Sequence, residues 1–384
     1  MKYNFFMILA ILCLITGNSH AQKTGFTIKG TLTGKLDSTF IKTDSMFLYG
    51  ANDQILASAP LVNGKFELKG SISEPQEVAI CTRQNGVGRI ILENANYTYT
   101  YNDGHVLIKG GILHNMVMGS KNSKAYNDAV DAYENTIDSL IKGKTYEDLT
   151  PEEKKIIRAK ADIAIAVESQ SLNKVLDDLN APVLAKVFAI MQTQEWDKYP
   201  LEKRITLLNT YNKELGGNSK LALEFRTRFE KMQQAENMQA SVTAGKKFKD
   251  VHAWDVNGNV VKLSDVIAKN KYTILEFWAS WCGPCRGEIP NLKKAYTKYK
   301  DKGLEIYAVS LDDKKPKWLQ ALKEENCPWL NLNDPKAFKG EAAKEYGLSG
   351  VPASYLIGQD GIIRVSDENL RGTELEKTLQ QYMP

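Results

Sequence analysis

Residues 272–290 run Tyr272-Thr-Ile-Leu-Glu276-Phe-Trp-Ala-Ser-Trp-Cys282-Gly-Pro-Cys285-Arg-Gly-Glu288-Ile-Pro290. Its first part, Ile274 to Trp278, is an apolar, aromatic-rich run, the pattern of a buried strand. The run delivers Cys282 and Cys285, with two residues between them, to a Gly283-Pro284 turn that opens a helix. Proline suits a first helical turn, where its missing N–H is no loss. Cys282 is therefore expected beside free helix N–H groups and the positive end of the helix dipole. That environment favours the thiolate, the nucleophilic form of cysteine. Cys285, one turn further in, is close enough to close a disulfide. The stretch reads as a redox dithiol.

Residues Phe277 to Cys285 closely resemble the active-site motif of thioredoxin-fold oxidoreductases. Glu288-Ile289-Pro290 is similar to the Glu-apolar-Pro of the periplasmic TlpA-like and ResA-like branch, of redoxin and AhpC/TSA type. Further along, Gly350-Val351-Pro352 stands where that fold carries its cis-proline loop, ahead of another apolar run. The resemblance spans residues 243–384. It implies an α/β thioredoxin fold, with a mixed sheet flanked by helices, and an enzyme of the protein-disulfide reductase type. It also implies roles for the cysteines. Cys282, the more exposed thiol, attacks a substrate disulfide, and Cys285 resolves the mixed disulfide.

Glu276 lies six residues before Cys282, inside the apolar strand, where a carboxylate is costly unless used. The resemblance makes it the buried acid that takes the proton from Cys285, with Glu in place of the more usual Asp. The competing reading is a strand-end acid that reaches solvent. Glu288, three after Cys285, favours the dipole of its own helix; the resemblance implies an active-site acid that tunes thiol acidity. Trp281 is expected to pack beside the thiols. With Gly283, Pro284, Val351 and Pro352 it forms the candidate substrate-binding set. Pro352 matters because a cis-proline turns the backbone so that the preceding residue pairs with an extended substrate chain. Arg286 reads as a surface residue and Pro290 as a kink.

Other chemistries find less support. Zinc wants four ligands, and no second CxxC or nearby His pair accompanies the dithiol, so neither metal nor cofactor is expected. His105 and His114 read as ordinary polar positions. A thiol peroxidase of the same fold would need a proline seven residues before Cys282, where Leu275 stands. The non-enzymatic alternative is a client-binding or chaperone module with an incidental dithiol. The Gly-Pro dipeptide is that of reducing thioredoxins, so the resemblance implies reduction or isomerisation of disulfides in protein substrates. Electrons would come from a membrane-bound donor of the DsbD/CcdA type. Apocytochrome c (hence cytochrome c maturation), a copper-site protein and misoxidised proteins stay open as clients.

The rest of the 384-residue chain frames this module. Lys2 precedes the apolar run Phe5–Ile15, and Ser19-His20-Ala21 supplies small residues: a signal peptide over 1–21, cleaved before Gln22. The run is shorter than the roughly 20 apolar residues of a membrane span. Leu12 before Cys13 is not the small residue that a lipoprotein site wants. The protein is thus expected in the periplasm or cell envelope. A formal net charge of +4, dispersed along the chain, argues against nucleic-acid binding. Residues 22–119 show short β-type runs, such as Lys65–Lys69 and Tyr97–Tyr101, with Asn63-Gly64 and Asp103-Gly104 as hairpin turns. They predict an antiparallel, sandwich-like β domain, similar to one that often precedes thioredoxin modules in exported bacterial proteins. Residues 120–240 read as a helical spacer or bundle, with a dimerisation surface left open by the sequence, and carry a capping box at Thr150-Pro-Glu-Glu153. Ser241–Lys249 is a polar linker, and 241–384 form the thioredoxin-like domain. Cys81 and Cys327 read as inert buried thiols, with an interdomain disulfide between them as the alternative.

Overall fold

The computed structural model of the protein describes residues 24–384 apart from 35–43, 51–52, 84–85, 103 and 147. The expected signal peptide and its cleavage site lie outside the described residues, as does the Asp103 half of one expected turn. Among the described residues no helix is long and apolar enough to cross a membrane. The chain divides into two units, Met1–Arg226 and Thr227–Pro384.

The described residues of the first unit open with eight strands: β1 (Phe26–Thr33), β2 (Ser45–Tyr49), β3 (Ile55–Pro60), β4 (Lys65–Gly70), β5 (Gln76–Cys81), β6 (Gly86–Leu92), β7 (Asn96–Asn102) and β8 (His105–Gly110). They form two four-stranded sheets, ordered β4-β1-β7-β8 and β3-β2-β5-β6. Alternation sets the faces. In β7, Tyr97, Tyr99 and Tyr101 point inward while Thr98 is exposed. Both sheets feed one apolar cluster, with Ile28 and Leu68 from one and Leu48 and Ile80 from the other, which makes the predicted sandwich. The sheets are not wholly antiparallel, as β1 pairs with β7 in parallel. A parallel pair needs a long crossover, and β2 to β6 supply it. At Asn63-Gly64 both residues have positive φ, 50° and 71°, and Val62 and Lys65 exchange two backbone hydrogen bonds of 2.9 Å. This is the mirror-image turn that suits the twist of a hairpin.

Among the described residues six α-helices follow: α1 (Ile112–Met118), α2 (Lys124–Ile141), α3 (Pro151–Asp177), α4 (Val183–Gln192), α5 (Leu201–Glu214) and α6 (Lys220–Ser241). The capping box at the start of α3 is complete. Glu153 N–H donates to Thr150 Oγ1 at 3.2 Å, and Thr150 N–H to Glu153 Oε2 at 2.7 Å. Leu172 of α3 and Phe188 of α4 share an apolar cluster with Ile91 of β6 and Val117 of α1. The stretch read from sequence as a spacer thus packs on the sandwich through its first helices, and the division between units falls inside α6.

The second unit contains β9 (His252–Trp254), β10 (Val260–Lys262), α7 (Leu263–Ile267), β11 (Tyr272–Trp278), α8 (Gly283–Tyr299), β12 (Leu304–Ser310), α9 (Lys315–Glu325), β13 (Leu330–Asn333), α10 (Glu341–Glu345), β14 (Ala353–Gly358), β15 (Ile363–Ser366) and α11 (Gly372–Tyr382). The seven strands order as β10-β9-β13-β12-β11-β14-β15. β11 runs parallel to β12 and antiparallel to β14. Helices cover both faces, which is why β11 reads as a continuous apolar run. Ile274 and Trp278 face the cluster that holds Cys282, Cys285, Ile289 of α8 and Leu375 of α11. Leu275 and Phe277 face the opposite cluster, with Ile267 and Tyr346. By the same alternation Glu276 lies on the dithiol side. α8 continues through Pro290. The linker is ordered against the sheet: Gly245 N–H donates to Ile363 O at 2.8 Å and Phe248 N–H to Gly361 O at 2.9 Å. It covers the β15 edge, which would otherwise expose unpaired backbone groups.

Candidate active site

After β11, Ala279 to Trp281 turn the chain into α8. Cys282 is the N-cap of that helix, and its Sγ accepts the Cys285 N–H at 3.2 Å. The two cysteines are joined as a disulfide. On its other side Cys282 Sγ lies 3.6 Å from Val351 O, and the Val351–Pro352 peptide bond is cis. The dithiol and the Pro352 loop, distant in sequence, therefore meet at Cys282. The expected difference in exposure between the cysteines is absent. Cys282 is 4% exposed and Cys285 3%, with the Val351 carbonyl set against Cys282.

Trp281 corrects a second expectation. Instead of packing on the thiols it is 59% exposed, with its ring 6.5 Å from that of Phe338. Its neighbour Ser280 is what turns the chain. Ser280 N–H and Oγ donate to Asp312 at 2.9 and 2.6 Å. Asp312, itself buried, also accepts from Ser310 Oγ at 2.7 Å, and Asn333 Nδ2 donates to the Asp312 carbonyl at 2.9 Å. Neither Ser280 nor Asp312 was singled out from sequence. The available signal was an acid at the end of an apolar strand, where an unused charge would be costly. Gly283 and Pro284 are exposed in the first turn of α8, and Val351 and Pro352 are half-buried.

Glu276 is 5% exposed, which excludes the solvent-reaching alternative. Its Oε2 accepts a hydrogen bond from Ser354 Oγ on β14. Burial pushes its carboxyl up to about 8. The Ser354 hydrogen bond and the Arg371 charge oppose that rise, while Glu288 and Asp367 reinforce it. Arg371 Nη2 donates to Pro352 O at 2.7 Å, and Asp367 Oδ1 accepts the Ser354 N–H at 3.2 Å. Glu288 serves a helix other than its own. Its Oε1 accepts the N–H of Gly372, the first residue of α11, at 2.9 Å, and its Oε2 accepts from Asn291 Nδ2 at 3.2 Å. A carboxylate at a helix N-terminus is favourable, and here it joins α8 to α11.

The remaining candidates lie apart from this centre. Arg286 pairs with Glu324 and Glu325 at 2.7 Å each, tying α8 to the end of α9. Cys81 and Cys327 are free and half-buried; burial raises both thiols, Cys327 to about 11, so neither is a ready nucleophile. His114 is buried, with Nδ1 accepting the Ile91 N–H and Nε2 facing Ile108 O, each at 3.3 Å. His105 Nε2 lies 3.4 Å from Asp131 Oδ1. Among the described residues no group of three or more His, Cys, Asp or Glu side chains is placed to hold a metal ion.

The sheet order and the seat of the disulfide beyond β11 put the second unit in the thioredoxin-fold class of redox proteins. Residues 244–366 match the AhpC/TSA family, and residues 26–126 match a domain of unknown function, DUF4369. The thiol-disulfide oxidoreductase ResA of Bacillus thuringiensis subsp. konkukian is 32% identical over 141 residues, covering 36% of this chain and 76% of that protein. The thiol:disulfide interchange protein CycY of Rhizobium leguminosarum bv. viciae is 40% identical over 102 residues, 26% of this chain and 52% of CycY. Among solved structures, the thioredoxin domain of a Bacteroides vulgatus thiol-disulfide oxidoreductase aligns at 32% identity and a TM-score of 0.35, covering 38% of this chain and all of that one. With ResA covered at that identity and extent, the chain belongs to the family of the ResA thiol-disulfide oxidoreductases.

Proposed function

We propose that the protein is an exported thiol-disulfide oxidoreductase that reduces, or isomerises, disulfides in protein substrates. The observation that carries the reading is the Cys282–Cys285 pair at the N-terminus of α8, with Val351 O against Cys282. In the reduced enzyme the Cys282 thiolate attacks one sulfur of the substrate disulfide. That S–S bond breaks, and the first substrate thiolate leaves and takes a proton from solvent. Cys285 gives its proton to the Glu276 carboxylate and attacks Cys282 Sγ, which expels the second substrate thiolate. The substrate has gained two electrons, and the enzyme is left as the disulfide. A carboxyl that titrates near 8 is matched to base work close to neutral pH.

Substrate binding falls to the face around the disulfide: Trp281, Gly283 and Pro284, with the Val351-Pro352 backbone offered to an extended chain. Glu288 supports the centre by anchoring α11. Reduction of the spent enzyme takes two electrons from a membrane-bound dithiol donor of the DsbD/CcdA type, on the periplasmic side to which the leader at 1–21 directs the chain. Cytochrome c maturation is one setting for this activity. The layout is a leader, a β domain over 22–119, a helical stretch over 120–240 and the redox domain over 241–384. Exposed Ile156 and Ile163, seven apart on α3, supply a self-association surface, which sedimentation of the full mature chain reads directly.

The deciding measurement is the redox equilibrium of the pair against glutathione, with mass spectrometry of alkylated thiols. A potential of roughly −270 to −200 mV is expected; one near −120 mV would recast the protein as an oxidant. Cys282→Ser should abolish insulin-disulfide reduction. Turnover that survives this substitution would refute the assigned nucleophile.

A further inference from the structure

We infer that Arg371 is the positioning residue of the redox centre, seating the Pro352 carbonyl and keeping a positive charge beside Glu276. The catalytic part of this inference rests on the reading of Glu276 as the base for Cys285. Arg371 is the residue before α11, and its Nη2 donates to Pro352 O at 2.7 Å. That carbonyl follows directly on Val351, whose own carbonyl faces Cys282 Sγ. The same Nη2 lies 3.5 Å from Asp367 Oδ1, the oxygen that accepts the Ser354 N–H, and Ser354 Oγ in turn donates to Glu276. The Arg371 Nε–H is buried without a partner. A buried donor left unmet is costly, a cost that a surface arginine avoids by turning outward. Arg371 is held inward by its acceptors on Pro352 and Asp367.

The groups around Glu276 come from every element packed against it. β14 brings the Ser354 hydroxyl, α8 brings Glu288, and the turn between β15 and α11 brings Asp367 and Arg371. From β12 the paired residue is the uncharged Ala308. Glu288 and Asp367 favour the protonated acid; Arg371 is the cation that opposes them. Without it, two acids and burial act together, and Glu276 holds its proton to higher pH. Less carboxylate is then present at neutral pH to accept the Cys285 proton. Loss of Arg371 therefore acts through Glu276, and also frees the Pro352 carbonyl that frames the substrate face.

The test is a carbon-13 NMR titration of the Glu276 side chain in the oxidised full mature chain, which needs no substrate. Arg371→Gln should move the midpoint to higher pH by about one unit, a tenfold loss of carboxylate at neutral pH. Arg371→Lys, which keeps the charge, should hold the wild-type midpoint. In stopped-flow release of the second substrate thiol, Arg371→Gln should be about tenfold slower at pH 7 and recover as pH rises. An unmoved Glu276 midpoint in folded Arg371→Gln overturns the inference. A midpoint displaced as far by Lys as by Gln does so too. Should the Gln variant not fold, the Lys variant decides: retention supports the inference and displacement ends it. The reading of Glu276 is tested separately. If Glu276→Gln keeps the wild-type rate and pH profile of thiol release, the base role fails and the catalytic part of the inference with it.

Discussion

His114 in the first unit is 2% exposed and Glu276 in the second 5%, so each unit encloses a group that titrates in water. Burial drives the two in opposite directions, His114 down to about 4 and Glu276 up to about 8, and leaves both largely neutral at pH 7. Their surroundings differ in kind. His114 has both ring nitrogens set against backbone, with the Ile91 N–H on one and the Ile108 carbonyl on the other. Glu276 is bonded to a side-chain hydroxyl, is influenced by Arg371, Glu288 and Asp367, and lies on the dithiol face of β11. A group pinned by backbone on both sides holds a structure together. A group balanced among opposing charges beside a reactive pair is suited to moving a proton.

The largest effect expected from this contrast is on Glu276. Its folded pKa lies above the unfolded value, so the stability tied to its protonated form is fully present below about 4.5 and lost as pH rises through about 8. A shift of that size corresponds to about 4–5 kcal/mol at the alkaline limit. Glu276→Gln should therefore stabilise the oxidised second unit by an amount that grows from pH 5 to pH 9. Urea unfolding followed by tryptophan fluorescence is a selective probe, since only Trp196 of the six tryptophans lies in the first unit. A difference that does not change with pH would show that Glu276 is solvated, and the comparison with His114 would collapse.

His114 carries the opposite sign. Its folded pKa is depressed, so stability is full above about 6.5 and declines as pH falls toward about 4. The loss amounts to about 3 kcal/mol in the first unit. Protonation also turns the Nδ1 acceptor of the Ile91 N–H into a donor. Exchange of the Ile91 amide, corrected for intrinsic pH dependence, should accelerate over that window while amides of β11 keep their protection. Constant protection at Ile91 would mean that the ring stays neutral without cost, and the two sites would no longer be mirror cases.

What could be read in the sequence follows the range of the interaction. The redox stretch, the capping box at Thr150 and the Asn63-Gly64 turn depend on residues a few positions apart, so their patterns survive in one dimension. The Pro352 loop lies 70 residues beyond Cys282, and only a family resemblance placed the two together. Arg371 and the Ser280–Asp312 contact carried no such aid. An arginine ahead of a terminal helix reads as surface, and Ser280 meets its partner across 32 positions by way of β12. Glu288 finds the Gly372 N–H across 84 positions, which is why its own helix looked like the dipole it served. The buried Asp312 gives the next effect in size. Asp312→Ala leaves Ser280 N–H and two hydroxyls without their acceptor, at a cost of about 2–3 kcal/mol. The melting temperature of the second unit should fall accordingly, and an unchanged value would show that water replaces the carboxylate.

Trp281 should give the smallest change in stability and the clearest separation of binding from chemistry. The side chain is 59% exposed, with Phe338 as its aromatic neighbour, so Trp281→Ala removes little buried area. Substitutions at such positions usually fall within about 0.5 kcal/mol. An exposed indole next to a reactive cysteine has little to do for the fold, but it offers a flat apolar surface of the kind that dominates protein contacts. If it receives substrate, Trp281→Ala should raise KM for a protein disulfide several-fold and leave kcat nearly unchanged, the signature of lost uniform binding. A small dithiol-reactive probe such as an aromatic disulfide, too short to reach Phe338, should lose less. Equal losses for both substrates would place Trp281 in the chemistry at Cys282 itself. An unchanged KM for the protein would move the substrate contact to the Val351-Pro352 side, leaving the tryptophan as a bystander of the turn that Asp312 holds.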